Sequence, residues 1–107
     1  MTYDLNYEGF EKYLLNRTVD IGDDVRGDYV HYIFKFDNNY GASIVKGYGT
    51  YGYADDLWEL GVVWFMFGDE NKYHLTYSTP ITDNVIGYLD DEEVRELLKQ
   101  IKELKGR

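Results

Sequence analysis

Residues 57–67 read Leu-Trp-Glu-Leu-Gly-Val-Val-Trp-Phe-Met-Phe, and this stretch decides the fold class. Trp58, Leu60, Val62, Trp64 and Met66 fall on one side of an extended chain, while the other side becomes apolar at Val63, Phe65 and Phe67. Side chains along a strand alternate between faces, so a segment apolar on both faces is expected at the centre of a sheet, with Trp64 in the core.

Working outward, the cluster Gly68, Asp69, Glu70 and Asn71 predicts a reversal into a further strand, where Tyr73, Leu75 and Tyr77 alternate with His74 and Thr76. Pro80 ends that strand by removing a ladder donor, and Thr82, Asp83 and Asn84 turn the chain toward a short apolar piece at Val85 and Ile86. Upstream, Val30, Tyr32, Phe34 and Phe36 form one apolar face of a strand over Tyr29–Phe36, with His31 and Lys35 on the other. Asp37, Asn38 and Asn39 then predict a turn into a strand over Tyr40–Lys46, because Asx side chains bond nearby backbone and tolerate left-handed conformations.

The ends read as helices. Asp90 with Glu93 three residues on forms a capping box, and Val94, Leu97, Leu98, Ile101 and Leu104 follow the helical period. Acids at 90–93 suit the positive end of that helix, and Lys99, Lys102 and Lys105 its negative end. Near the start, Tyr7, Phe10 and Leu14 at helical spacing, with Asn6 as N-cap, predict a short helix from about 6 to 16. Thr18 to Asp28 reads as a loop. The expectation is one compact α+β domain over 1–107: an antiparallel meander of four to five strands, with a short N-terminal and a longer C-terminal amphipathic helix packed on one face.

A chain of 107 residues is too short for a two-domain enzyme, and 44% hydrophobic residues, with 18% aromatic, suffice for a single core. The absence of cysteine excludes disulfides, thiolate catalysis and thiolate metal ligation. Asp4 and Glu8 stand where an export signal would be basic and apolar, and the longest apolar run, Gly61 to Gly68, is far short of the roughly 20 residues that span a bilayer. A cytoplasmic protein without membrane contact is expected.

A net charge of -9 disfavours direct contact with nucleic-acid phosphates. Residues 90–107 hold six acids and five bases, so the excess lies in residues 1–89, with fourteen acids against six bases. Asp20, Asp23, Asp24 and Asp28 crowd around Arg26, and Asp55–Asp56 and Asp69–Glu70 have few neighbouring bases. Solubility is the plain account of this excess; the functional account is a surface that imitates nucleic acid and occupies a basic groove.

Gly47, Gly49 and Gly52 satisfy the letter of a dinucleotide fingerprint, but Tyr53, Ala54, Asp55 and Asp56 then lead into a strand where a phosphate-binding helix is required. The connection instead presents Tyr48, Tyr51 and Tyr53, either to a partner, with Asp20, Asp23, Asp24, Asp55 and Asp56 as its charged companions, or back over the sheet edge as a secondary core. His31, His74, Ser43 and Ser78 are the remaining candidates for chemistry, and no third metal ligand accompanies the histidines. The loop at 20–28 lacks the ligand spacing of a calcium site, and the tripeptide Arg26-Gly27-Asp28 has no adhesive use in a chain that stays inside the cell. No catalytic residue, metal or cofactor is expected.

Five segments resemble a known group: Asn39-Tyr40-Gly41-Ala42-Ser43-Ile44-Val45, Gly47 to Gly52, Leu57-Trp58-Glu59-Leu60, Leu75 to Thr82, and Val85-Ile86-Gly87-Tyr88-Leu89. Together, over about Tyr29 to Leu98, they are similar to small proteins encoded by bacteriophages and prophages. The resemblance implies an origin and assigns no chemistry. Small acidic proteins of that origin often occupy a functional surface of a host protein, so a non-enzymatic binding module acting on a host protein, as a monomer or homodimer, is the expectation. Self-association as a structural or accessory protein, and small-ligand or metal binding, are the alternatives.

Overall fold

The structure, a computed structural model, describes residues 2–106 apart from Asp24, Arg26 and Asp83. The strand centred on the decisive stretch is β4, Trp58–Phe65, and it lies within a six-stranded antiparallel sheet. Before it come β1 (Leu14–Asp20), β2 (Tyr29–Lys35) and β3 (Tyr40–Gly47); after it come β5 (Tyr73–Leu75) and β6 (Ile86–Leu89). The spatial order is β1-β2-β3-β4-β5, and β6 joins β4 beside β5. β5 pairs with the C-terminal half of β4 (Val63 opposite Leu75) and β6 with its N-terminal half (Trp58 opposite Leu89). The chain closes with helix α1, Asp91–Lys102.

One face of the sheet carries the main core. Val30, Tyr32 and Phe34 of β2, Ala42 and Ile44 of β3, and Trp58, Leu60 and Val62 of β4 are buried against Val94, Leu98 and Ile101 of α1. Complete burial of side chains this large contributes about 1.5–3 kcal/mol each, which fixes the register of the strands that present them. The capping box is formed: the Glu93 N–H donates to Asp90, and the Asp90 N–H donates to Glu93. At the other end of α1, the Asn38 amide donates to the carbonyls of Ile101, Lys102 and Leu104, so the β2–β3 turn caps the helix that packs beside it.

The N-terminal helix expected over 6–16 is not formed. Residues 2–10 run without regular structure, a 3₁₀ turn covers Glu11–Tyr13, and Leu14–Asp20 is strand β1. Gly9 has φ 94°, a left-handed conformation that interrupts a helix. An eleven-residue helix also nucleates poorly on its own, whereas pairing along β2 satisfies the backbone of β1 and buries Leu14 and Val19 in part. The apolar spacing still marks the buried rings: Tyr7 meets Phe34 edge-on, and Phe10 and Tyr13 both meet Phe36. The sheet consequently has six strands rather than four or five, and the acidic loop starts after Asp20 rather than at Thr18. Trp64, expected in the core, is partly buried with its ring 4.9 Å from that of Tyr40; Trp58 is the fully buried tryptophan.

Candidate functional site

At the end of the sheet where β1 finishes and β2 starts, Asp20, Ile21, Asp28, Tyr29 and Tyr48 line a cleft of about 470 Å³ with Gly22 and Gly27. The antiparallel register builds it, since Asp20 pairs with Tyr29 and Tyr29 with Gly47, and the 48–53 connection starts at that point. Burial, together with the negative charges of Glu59 and Asp20, pushes the Tyr29 hydroxyl above its usual pKa.

Two of the three tyrosines singled out in the sequence are solvent-facing, Tyr48 at 65% and Tyr51 at 60% exposure, so neither belongs to a secondary core. Tyr53 is half-buried, and its hydroxyl lies 3.2 Å from where a side chain on Gly27 would begin. The Tyr51 N–H donates to Glu59, and the Tyr51 side chain packs against the backbone at Gly87. Beside it stands Tyr88, 58% exposed and at φ 59°, a left-handed conformation unfavourable for an aromatic residue. Tyr29, Tyr88, Ile21 and Glu59 were not singled out in the sequence. That β6 returns to the 48–53 connection, where the Tyr88 N–H meets the Tyr51 carbonyl, could not be read from the sequence.

The acids divide. Asp20 lines the cleft, Asp23 is exposed in the loop and accepts from the Val25 N–H, and Asp24 lies outside the described residues. Asp28 accepts from the Tyr3 hydroxyl and the Gly22 N–H. Asp55 is exposed in the 3₁₀ turn Tyr53–Asp55 that stands where a dinucleotide fingerprint would require a helix. Asp56 is engaged within the chain: it accepts from the Thr2 N–H and hydroxyl and from Lys46, whose amine is buried 4.1 Å above the Trp58 ring. Partial burial acts to raise the Asp56 pKa, but these hydrogen bonds and the Lys46 charge outweigh it and hold it at about 2.

The two histidines stand apart. His74 is exposed on β5 opposite Trp64, on the helix side of the sheet. His31 points from the other face and shares a 2.8 Å hydrogen bond with Ser43. Among the described residues no three His, Asp or Glu side chains gather as metal ligands, and no helix is long and apolar enough to cross a membrane. No protein-family model, curated protein or solved structure matches the chain.

Proposed function

We propose that this is a binding protein of the small bacteriophage type, acting in the host cytoplasm by occupying a positively charged surface of a host protein, such as the nucleic-acid groove of an enzyme. The observation that carries the reading is the cleft at the β1–β2 end, which joins Asp20 and Asp28 to Tyr29 and Tyr48. Exposed tyrosines supply wide contact area at low conformational cost, and the acids supply steering and selection of a basic partner. Tyr51, Tyr88 and Asp23 extend the same surface, and no chemical step is assigned to it.

The test compares the tagged parent with Tyr48→Ala/Tyr51→Ala and Asp20→Asn/Asp23→Asn in a bacterial lysate at low and high salt. A captured protein is then purified and its 1:1 affinity measured by calorimetry. The expected partner has a basic groove, dissociates with salt, and loses roughly 1–4 kcal/mol of affinity with the tyrosine variant. Equal affinity for all three chains, or no partner that survives purification, refutes the reading.

A specific observation favours a second reading, self-association through β5. This short edge strand exposes Tyr73 and Leu75, and the preceding hairpin tip holds Phe67 at 95% exposure. Sedimentation showing a concentration-independent monomer removes it.

A further inference from the structure

On the face of the sheet away from α1, β2 and β3 place an imidazole beside a hydroxyl. Ile33 pairs with Ser43 and His31 with Val45, so His31 and Ser43 are diagonal neighbours, with Nε2 and Oγ 2.8 Å apart. Both side chains are only half-buried, so water could satisfy each of them without the other. We infer that Ser43 is an activated nucleophile that accepts an acyl group from small neutral or cationic esters, with His31 as its general base. This goes beyond the docking surface and does not rest on it.

The surroundings have two sides. Around Ser43 the sheet is apolar. Ile33 is buried beside it, Gly61 lies opposite it in the ladder, and Leu75 reaches to 2.5 Å from where a Gly61 side chain would begin. Gly41, two residues earlier on the same face, is covered in the same way by the Phe65 ring at 2.8 Å. A short acyl chain suits such a surface. On the other side of His31 opens a cleft of about 410 Å³, where β1 contributes Leu15 and Asn16, β2 contributes Ile33, and the β4–β5 hairpin contributes Glu70, Asn71 and Tyr73. Amides, a phenol and a carboxylate beside these two aliphatic chains fit an alcohol with both polar and apolar parts and repel an anionic one. Burial holds the His31 pKa below its usual value, which keeps the imidazole neutral near pH 7, the state a base requires.

In the step itself, Ser43 Oγ forms a bond to the ester carbonyl carbon while His31 Nε2 takes the hydroxyl proton. The carbon–oxygen bond of the ester then breaks, and the departing alcohol leaves with that proton. The products are an acylated Ser43, the free alcohol and the original neutral imidazole.

Incubation of the full chain with p-nitrophenyl acetate, followed by intact-mass measurement and peptide mapping, tests the inference. The expected result is an acetyl group on Ser43 that forms faster than background acetylation of lysines and tyrosines. Ser43→Ala should lack this adduct, and His31→Gln should slow it by about 100-fold or more while its thermal unfolding matches the parent's. An uncharged fluorophosphonate should label the same residue. No adduct on Ser43 in the parent, or labelling of His31→Gln at the parental rate, overturns the inference. Should Ser43→Ala fail to fold, the mapped rate in folded His31→Gln decides alone.

Discussion

Replacing Asp56 by asparagine tests the structural role assigned to that residue. Asparagine keeps the size of the side chain and tolerates the left-handed backbone at φ 57°, so the change removes the charge and one of the two acceptor oxygens with little change of shape. It leaves the Lys46 ammonium, whose side chain is 2% exposed, with the Thr2 carbonyl at 3.2 Å and the Trp58 ring as its main partners. Removing one partner of a fully buried ion pair costs about 3–5 kcal/mol. Asp56 is itself 43% exposed, so water moderates the loss, and about 1.5 kcal/mol is expected. At about 4 °C per kcal/mol for a domain of this size, the melting temperature should fall by about 6 °C, read by far-UV circular dichroism.

Lys46→Met should cost less than Asp56→Asn, because an apolar chain of similar length fills the space over Trp58 and strands no buried charge. The double variant should then be no worse than Lys46→Met. The pH dependence follows with a defined sign. The folded pKa of about 2 lies below the usual 3.8, so the stabilisation is present above about pH 4 and is lost as pH falls toward 2. The gap in melting temperature between parent and Asp56→Asn should close over that window. An Asp56→Asn melt within about 1 °C of the parent at pH 7, or a larger loss for Lys46→Met, refutes the account.

Two further outcomes follow from the same geometry. Phe67 sits at φ 56° in the β4–β5 hairpin tip, a seat that asparagine takes readily, so Phe67→Asn should stabilise the fold by about 1 kcal/mol, seen as a higher denaturant midpoint. Trp58→Ala should cost about 3–5 kcal/mol and Trp64→Ala about 2 kcal/mol, because only the first ring is fully enclosed; equal losses in urea unfolding would contradict this packing.

Much of the fold was legible because its signals are local. The alternation at 29–36 and 57–67 depends only on the two-residue period of a strand, and the Asp90–Glu93 box lies within one helical turn. The first twenty residues misled for a physical reason. Tyr7 and Phe10 are at helical spacing, but spacing reports which side chains are buried and not which backbone carries them. Of the candidate site, Tyr48, Tyr51 and Asp20 were legible as exposed residues of turn-rich stretches. Tyr53 and Asp56 carried the same signal, but Tyr53 is half-buried beside Gly27 and Asp56, though exposed, is engaged by Lys46 and Thr2.

By itself, the sequence determined the strand-rich class, the antiparallel turns, the C-terminal helix and the concentration of charge in the first 89 residues. These are properties of neighbours along the chain. Only the tertiary structure decided that β1 replaces a helix, that β6 returns to β4, that Asn38 caps α1, and that Lys46 meets Asp56 beneath Thr2. It alone set His31 against Ser43 and drew Tyr29, Tyr48 and Asp20 to one end of the sheet. Ladder register makes such contacts, and register is a through-space choice set by the burial of a whole face, which no single segment encodes.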